Sequence, residues 1–310
     1  MSVCKLSDTF AFTQLSSMPT AKSNSHQYLL ALVMLAALWL APAARSQCPN
    51  GWLEGETYPG TDLSVYAMTI WDPDGLGPLP SLLVMGGSFS RAGGVSAQRV
   101  AAYNPTSGTW TAVGDGLNGS VFALTSLPNG HLVAGGDFTL AGGVPANRIA
   151  LWNGSAWTAL GGGMSARVSA LTSLPNGDIV AGGDFITAGG STVNRIARWN
   201  GSTWLPLGSG MNAPVHCLAT LPNAHVVAGG SFTVAGGVSA SYVARFNGIS
   251  WLQLGSLSGP VKSLALQANG DVLAGGRLCI SGRCASWRYC EMGWQLLETG
   301  RHRHRWQFFR

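Results

Sequence analysis

Between residues 121 and 160 apolar and polar positions alternate in short runs that Gly, Pro and Asn interrupt. VFALTSL runs from Val121 to Leu127 and stops at Pro128-Asn129-Gly130. There Pro presets one φ and Asn or Gly accepts a positive one, the chemistry of a tight hairpin. HLVAGGDF follows over His131–Phe138, then Arg148–Trp152, the turn Asn153-Gly154, and Ala156–Leu160. Runs of about five residues bounded by turn signals predict four antiparallel strands. No stretch after residue 48 carries a helical period.

The pattern recurs. Gly182-Gly183 is matched 47 residues earlier by Gly135-Gly136 and 47 later by Gly229-Gly230, with outlying copies at Gly86-Gly87 and Gly275-Gly276. Trp204 recurs at the same interval as Trp157, Trp251 and Trp110. One four-stranded sheet cannot hide both its faces, so the copies must stack, and the four Trp become wedges between neighbours. A period of roughly 40–50 residues built from short strands predicts an all-β β-propeller of about five four-stranded blades, the alternative being an open fragment of a six- or seven-bladed ring. The units fall near 64–120, 121–167, 168–214 and 215–260, with a degenerate one at 261–300 and a basic tail at 301–310. Asn50-Gly51-Trp52 echoes the end of a unit, which suits either an orphan strand that closes the ring by removing exposed edges or a frayed lead-in.

Two units depart from the pattern. In the first, Trp71–Pro80 replaces the short LPNG turn, and its Asp72, Asp74 and Gly75 superficially match a calcium loop without the later ligands. In the last, Gly282, Tyr289 and Trp294 keep repeat register after a three-residue shortening, while the surrounding sequence changes character. A worn blade and a reading-frame slip both account for that.

Composition places the chain. Glycine, 43 of 310 residues, would suit low complexity, but 12 Trp and a 46% hydrophobic share supply a real core. The formal charge of +5 resides in the ends: residues 48–276 hold eight Lys/Arg against ten Asp/Glu. A nucleic-acid partner therefore has no support from the repeats. Lys22, the apolar run Tyr28–Ala41 and the A-x-A at Ala41–Ala43 make residues 1–47 a leader with a secretory signal, cut after Ala43 or Ser46. The run is too short to span a bilayer comfortably, so no stable membrane span is expected once it is removed. A buried hydrophobic helix is the plainer alternative. The expected location is secreted, cell-surface or periplasmic.

Gly86-Gly87 followed by Tyr103, six residues and Trp110 resembles the kelch-type propeller repeat. GGDFT-x-AGG, RIARWNG-x-x-W and LG-x-G-M are similar to secreted repeat proteins of environmental bacteria, and more distantly to fungal cortical polarity markers and Delta-60-type repeats. The resemblance covers about residues 60–276. It implies an interaction platform with an unknown protein or glycan partner. The galactose-oxidase branch of such propellers implies a copper site of Tyr, His and a cross-linked Cys, for which Cys217, His131, His216 and His225 supply no constellation. No cofactor, metal or catalytic residue is expected.

The GGDF of Gly135–Phe138 and Gly182–Phe185 recurs as GGSF, which marks a structural turn rather than a nucleotide cyclase. Asp137 and Asp184 either cap the adjoining AGG loops or face a ligand. Arg99, Arg148, Arg195 and Tyr242 share one repeat position, where a flat group either stacks on a neighbouring Trp or forms a ligand face. In that second reading the chain is a lectin with one site per blade. A propeller enzyme of oxidase or lyase type is the third reading. Export predicts pairing among Cys48, Cys217, Cys279, Cys284 and Cys290 with one left over, a bond from Cys48 to the last unit acting as a staple. The same cysteines with His302 and His304 fit no standard zinc spacing.

Overall fold

A computed structural model describes residues 60–277 apart from 76 and 268, together with the strands Met292–Leu297 and Phe308–Phe309. The leader at 1–47, Asn50–Trp52, Cys48, Cys279, Cys284, Cys290, Gly282, Tyr289 and residues 301–307 of the tail lie outside the described residues.

Unit 3 shows the plan. Val168–Ser173, Ile179–Gly183, Ile196–Trp199 and Trp204–Pro206 pair antiparallel in that order. The strands are shorter at their ends than the hydrophobic runs suggest, because the flanking turn residues leave the ladder. Five four-stranded sheets of this order are present among the described residues. Their first strands pack in series, each unit on the next.

The AGG segment is more than a loop. Thr187–Ala188 and Ser191–Thr192 pair around Gly189-Gly190, whose φ values of 55° and 86° give the turn its hairpin twist. Units 1, 2 and 4 carry the same small hairpin. In units 1 to 4 the residue three positions before the leading Val of the first strand anchors this hairpin. Asn118 accepts the N–H groups of Thr139 and Leu140 at 2.8 and 2.9 Å, and Asn212 those of Thr233 and Val234 at 2.9 Å each. Ser165 does the same for Ile186 and Thr187, and Asp62 for Ser90 and Arg91. Hydrogen bonds from the Ser90 hydroxyl and the Arg91 N–H hold the exposed Asp62 carboxyl at about 2.

The paired glycines have separate uses. A Cβ on Gly182 would stand 2.6 Å from Val215 Cγ1 of the following unit, and one on Gly183 2.1 Å from the carbonyl of Arg167, the residue leading into its own first strand. The first glycine therefore allows neighbouring sheets to approach, and the second lets the first strand bend. Gly86, Gly135 and Gly229, and Gly87, Gly136 and Gly230, divide in the same way.

The core lies in the seams. Val180 and Ile196 of unit 3 cluster with Val215, Val226 and Phe232 of unit 4. Trp157, Trp204 and Trp251 are buried there, and each indole N–H donates to a carbonyl of the preceding unit, Val113, Leu160 or Leu207, at 2.9, 3.0 and 2.9 Å. Each also packs on an aromatic of its own unit, Trp152, Trp199 or Phe246. Trp110 is half-buried and packs on Tyr103 in the same way. In unit 1, Trp71 ties the long insertion to unit 2 by donating to the Gly130 carbonyl at 2.7 Å. The Asp74 carboxylate accepts the Leu79 N–H of its own loop.

The fifth unit breaks register. Its third strand, Met292–Leu297, sets Trp294 opposite Gly275, the place that Ile196 holds opposite Gly182. Trp294 is thus a third-strand residue, whereas aromatic spacing alone aligns it with the fourth-strand Trp204. Pairing to the diglycine strand, not the interval between aromatics, sets the register.

Candidate functional site

Every first strand carries a β-bulge one residue after its leading Val. The pairing shifts between Val65 and Ala67, Val121 and Ala123, Val168 and Ala170, Val215 and Cys217, and Val261 and Ser263. A bulge leaves one residue out of the ladder and re-aims its side chain. The bulged residues are Tyr66, Phe122, Ser169, His216 and Lys262. Because the first strands lie side by side and each bulges at the same height, these side chains form one row along the same rim. In units 1 to 4 the residue after the diglycine, Ser88, Asp137, Asp184 or Ser231, follows the end of the adjacent strand at that rim.

Side-chain contacts link the row in two stretches, from Tyr66 to Arg167 and from His216 to Lys262. The rings of Tyr66 and Phe122 stack with centroids 4.9 Å apart and planes 22° apart. The Arg167 guanidinium lies 4.5 Å from the Phe122 centroid and pairs with Asp137, Nη2 to Oδ2 at 2.7 Å and Nε to the same oxygen at 2.9 Å. The hydrogen bond to Asp137 raises the Arg167 pKa against partial burial, and the charges of Asp137 and Asp184 and the Tyr66 phenol oxygen act in the same direction. His216 Nε2 is 2.8 Å from Ser231 Oγ and 2.9 Å from Lys262 Nζ. Burial, then the Lys262 ammonium, holds the His216 pKa below its ordinary value, opposed by Asp184. A lowered imidazole pKa destabilises the fold as pH falls below about 6.5, where the unfolded chain takes up the proton more readily. A Lys262→Met variant is expected to raise the pH at which His216 titrates, followed by its imidazole NMR signals.

The sequence-predicted Arg99, Arg148, Arg195 and Tyr242 are not among the bulged residues. Arg99, Arg148, Arg195 and Tyr242 all have positive φ, 66–71°, uncommon for a residue other than glycine. Their backbones hold that conformation by bonding on both sides. The Arg148 N–H donates to the Phe138 carbonyl and its own carbonyl accepts the Gly136 N–H, and the three counterparts repeat this. The guanidinium groups of Arg148 and Arg195 donate to the Met164 and Met211 carbonyls at 2.7 and 2.9 Å, and Arg99 bonds Ser88 and Phe89. Among the described residues none of the three stacks on a Trp. Asp137 reaches Arg167 rather than a hairpin N–H, since Asn118 already fills that capping role in its unit. Phe89, Phe138, Phe185 and Phe232 of the GGDF and GGSF segments are fully buried, which explains their recurrence. Tyr66, Phe122, Ser169 and Lys262 went unnoticed in the sequence because they vary between copies. Their signal was the variation itself, at one position of an otherwise regular repeat.

Cys217 follows the bulge of unit 4, and burial pushes its thiol up to about 12. The native protein is expected to leave Cys217 unlabelled by a thiol reagent at pH 8 while the unfolded chain reacts at once, read by mass of the Cys217 peptide.

Comparison with known proteins agrees with the sheets and the repeat. The Rax2 C-terminal β-propeller domain matches residues 77–213, and a β-propeller domain of unknown function, DUF5122, matches residues 222–248. The chain is a β-propeller repeat protein. No curated protein is similar enough to match. Among solved structures, U3-55K is similar at 14% identity and a TM-score of 0.49 over 70% of this chain, which spans 60% of that one. A catalytically inactive virginiamycin B lyase from Staphylococcus aureus with quinupristin is similar at 13% identity and a TM-score of 0.49, over 82% of this chain and 71% of that one. Neither likeness says anything about a ligand or activity of this propeller.

Proposed function

We propose that the chain is an exported, non-enzymatic propeller that binds a protein or glycan partner through the rim built by its bulged first-strand residues. One observation carries this reading: five units hold Tyr, Phe, Ser, His and Lys at a position that the same backbone bulge presents each time. Gly, Phe and Trp recur where packing demands them, so the rim is where each copy is free to differ. The apolar leader run ahead of A-x-A supports export.

A binding role is favoured over catalysis by the environment of His216. Its Nε2 faces both the Ser231 hydroxyl and the Lys262 ammonium, and one lone pair cannot serve both. Lys262 therefore opposes the use of His216 as a base toward Ser231. A lectin with one site per blade is disfavoured because the repeated Arg groups already bond main-chain carbonyls.

The test is a variant in which Phe122, His216 and Lys262 all become Ser, the residue that unit 3 carries at this position. Against a panel of defined oligosaccharides and purified extracellular proteins, probes that bind the native chain are expected to lose at least tenfold in affinity to this variant and to keep it with Arg148→Ala. Equal binding by native chain and triple variant would refute the rim. Amino-terminal sequencing of the mature chain tests export, with a start at Ala44 or Gln47 expected.

A further inference from the structure

We infer that the rim holds a single composite site for a neutral saccharide, formed by Tyr66, Phe122, Arg167, Asp137 and Asp184 from the first three units. This rests on the binding role proposed for the rim and adds the class of ligand and the number bound.

The aromatic part comes first. Tyr66 stacks on Phe122 with one side of its ring and is still 49% exposed. The Phe122 stack and the Arg167 guanidinium beside it fix the pair in place, so ordering the platform adds little cost on binding. An aromatic face is electron-rich and attracts weakly positive edges, which the C–H bonds on one side of a pyranose ring provide. A sugar needs one such face.

The polar part follows. Within the site Arg167 is paired with Asp137, so neither of these charges is left to select an ion, and Asp184 is the one charge without an ion-pair partner. Arg167 uses two of its five N–H donors on one oxygen of Asp137, and its side chain remains 44% exposed. Among the described residues the exposed Asp184 carboxylate has no hydrogen-bond partner, although its charge reaches both Arg167 and His216. Ionised acceptors and donors side by side suit vicinal hydroxyls, each of which donates and accepts. A carboxylate-bearing sugar would meet Asp137 and Asp184, and an amino sugar would meet the Arg167 guanidinium.

The geometry also sets the count. Among the described residues units 1 and 2 put Tyr and Phe at the bulge and their rings form the one stacked pair there, so one platform exists where a site per blade would need several.

Calorimetric titration of the full chain with glucose, galactose, mannose and N-acetylglucosamine and their disaccharides, beside glucuronate and glucosamine, tests this. At least one neutral sugar is expected to saturate at one per chain. Tyr66→Ala and Asp184→Asn should each weaken it at least tenfold, Tyr66→Phe should preserve it, and the charged sugars should bind less well. Two results would overturn the inference and leave the rim's binding role standing: a rim-dependent protein partner with no neutral sugar bound, or tighter binding of a charged sugar. Several sugars per chain, lost in Arg148→Ala and kept in Tyr66→Ala, would overturn both.

Discussion

Trp204→Ala is expected to lower the free energy of unfolding by ~3–5 kcal/mol, the usual range for emptying a buried aromatic site. The indole is 4% exposed, packs on Trp199 and donates its N–H to the Leu160 carbonyl of the preceding unit. Its loss leaves a cavity at a seam and removes the donor for a carbonyl in unit 2. Phenylalanine at this position should recover most of the packing and none of the hydrogen bond. Urea titration of the variants, with Trp110→Ala as comparison, gives the measurement. Trp110 is only half-buried, so its removal should cost clearly less. Equal effects at the two positions would mean that the indoles do not act through the seams.

Gly183→Ala is expected to destabilise by about 3 kcal/mol, near the upper end for forcing atoms into a packed interior. The added methyl would fall 2.1 Å from the Arg167 carbonyl oxygen, and backbone cannot yield as a side-chain tip can. Gly182→Ala meets Val215 Cγ1 at 2.6 Å, a side chain with more room to adjust, and should cost less. Gly154→Ala adds a methyl with nothing within 4 Å, at a φ of 96°, so its cost of about 1 kcal/mol reflects the backbone alone. The carbonyl in question belongs to Arg167, which carries the ion pair and the contact with Phe122. Gly183→Ala should therefore weaken rim binding as well as stability, whereas Gly154→Ala should affect only stability. Thermal unfolding and binding measured on the same preparations separate the two.

Most of the fold was legible in the chain because packing repeats itself. Gly182, Trp204 and Phe185 each recur because every seam makes the same demand, and the turn residues Pro175-Asn176-Gly177 fix where strands end. The small hairpin was hidden, since two-residue strands such as Thr187–Ala188 leave no hydrophobic alternation to read. The role of Arg148 and Arg195 was hidden for a different reason. A left-handed backbone at a non-glycine residue arises from the carbonyls around it, and no local preference announces it. The rim lay furthest from view. A bulge is a property of pairing between strands, so the common height of Tyr66, Phe122 and His216 exists only once the sheets are formed. Register in unit 5 shows the same limit, because Trp294 pairs by backbone and not by its distance from other aromatics.

Both the packing of successive units and the rim depend on neighbouring first strands bulging at one height. The contact between Tyr66 of unit 1 and Phe122 of unit 2 reports on this, because the two residues are 56 positions apart and meet only if that is so. Nuclear Overhauser spectroscopy on protein labelled at Tyr and Phe rings should show a cross-peak between them that vanishes in Phe122→Ser. A folded, β-rich chain without that cross-peak would contradict both the stacking of the units and the site built on it.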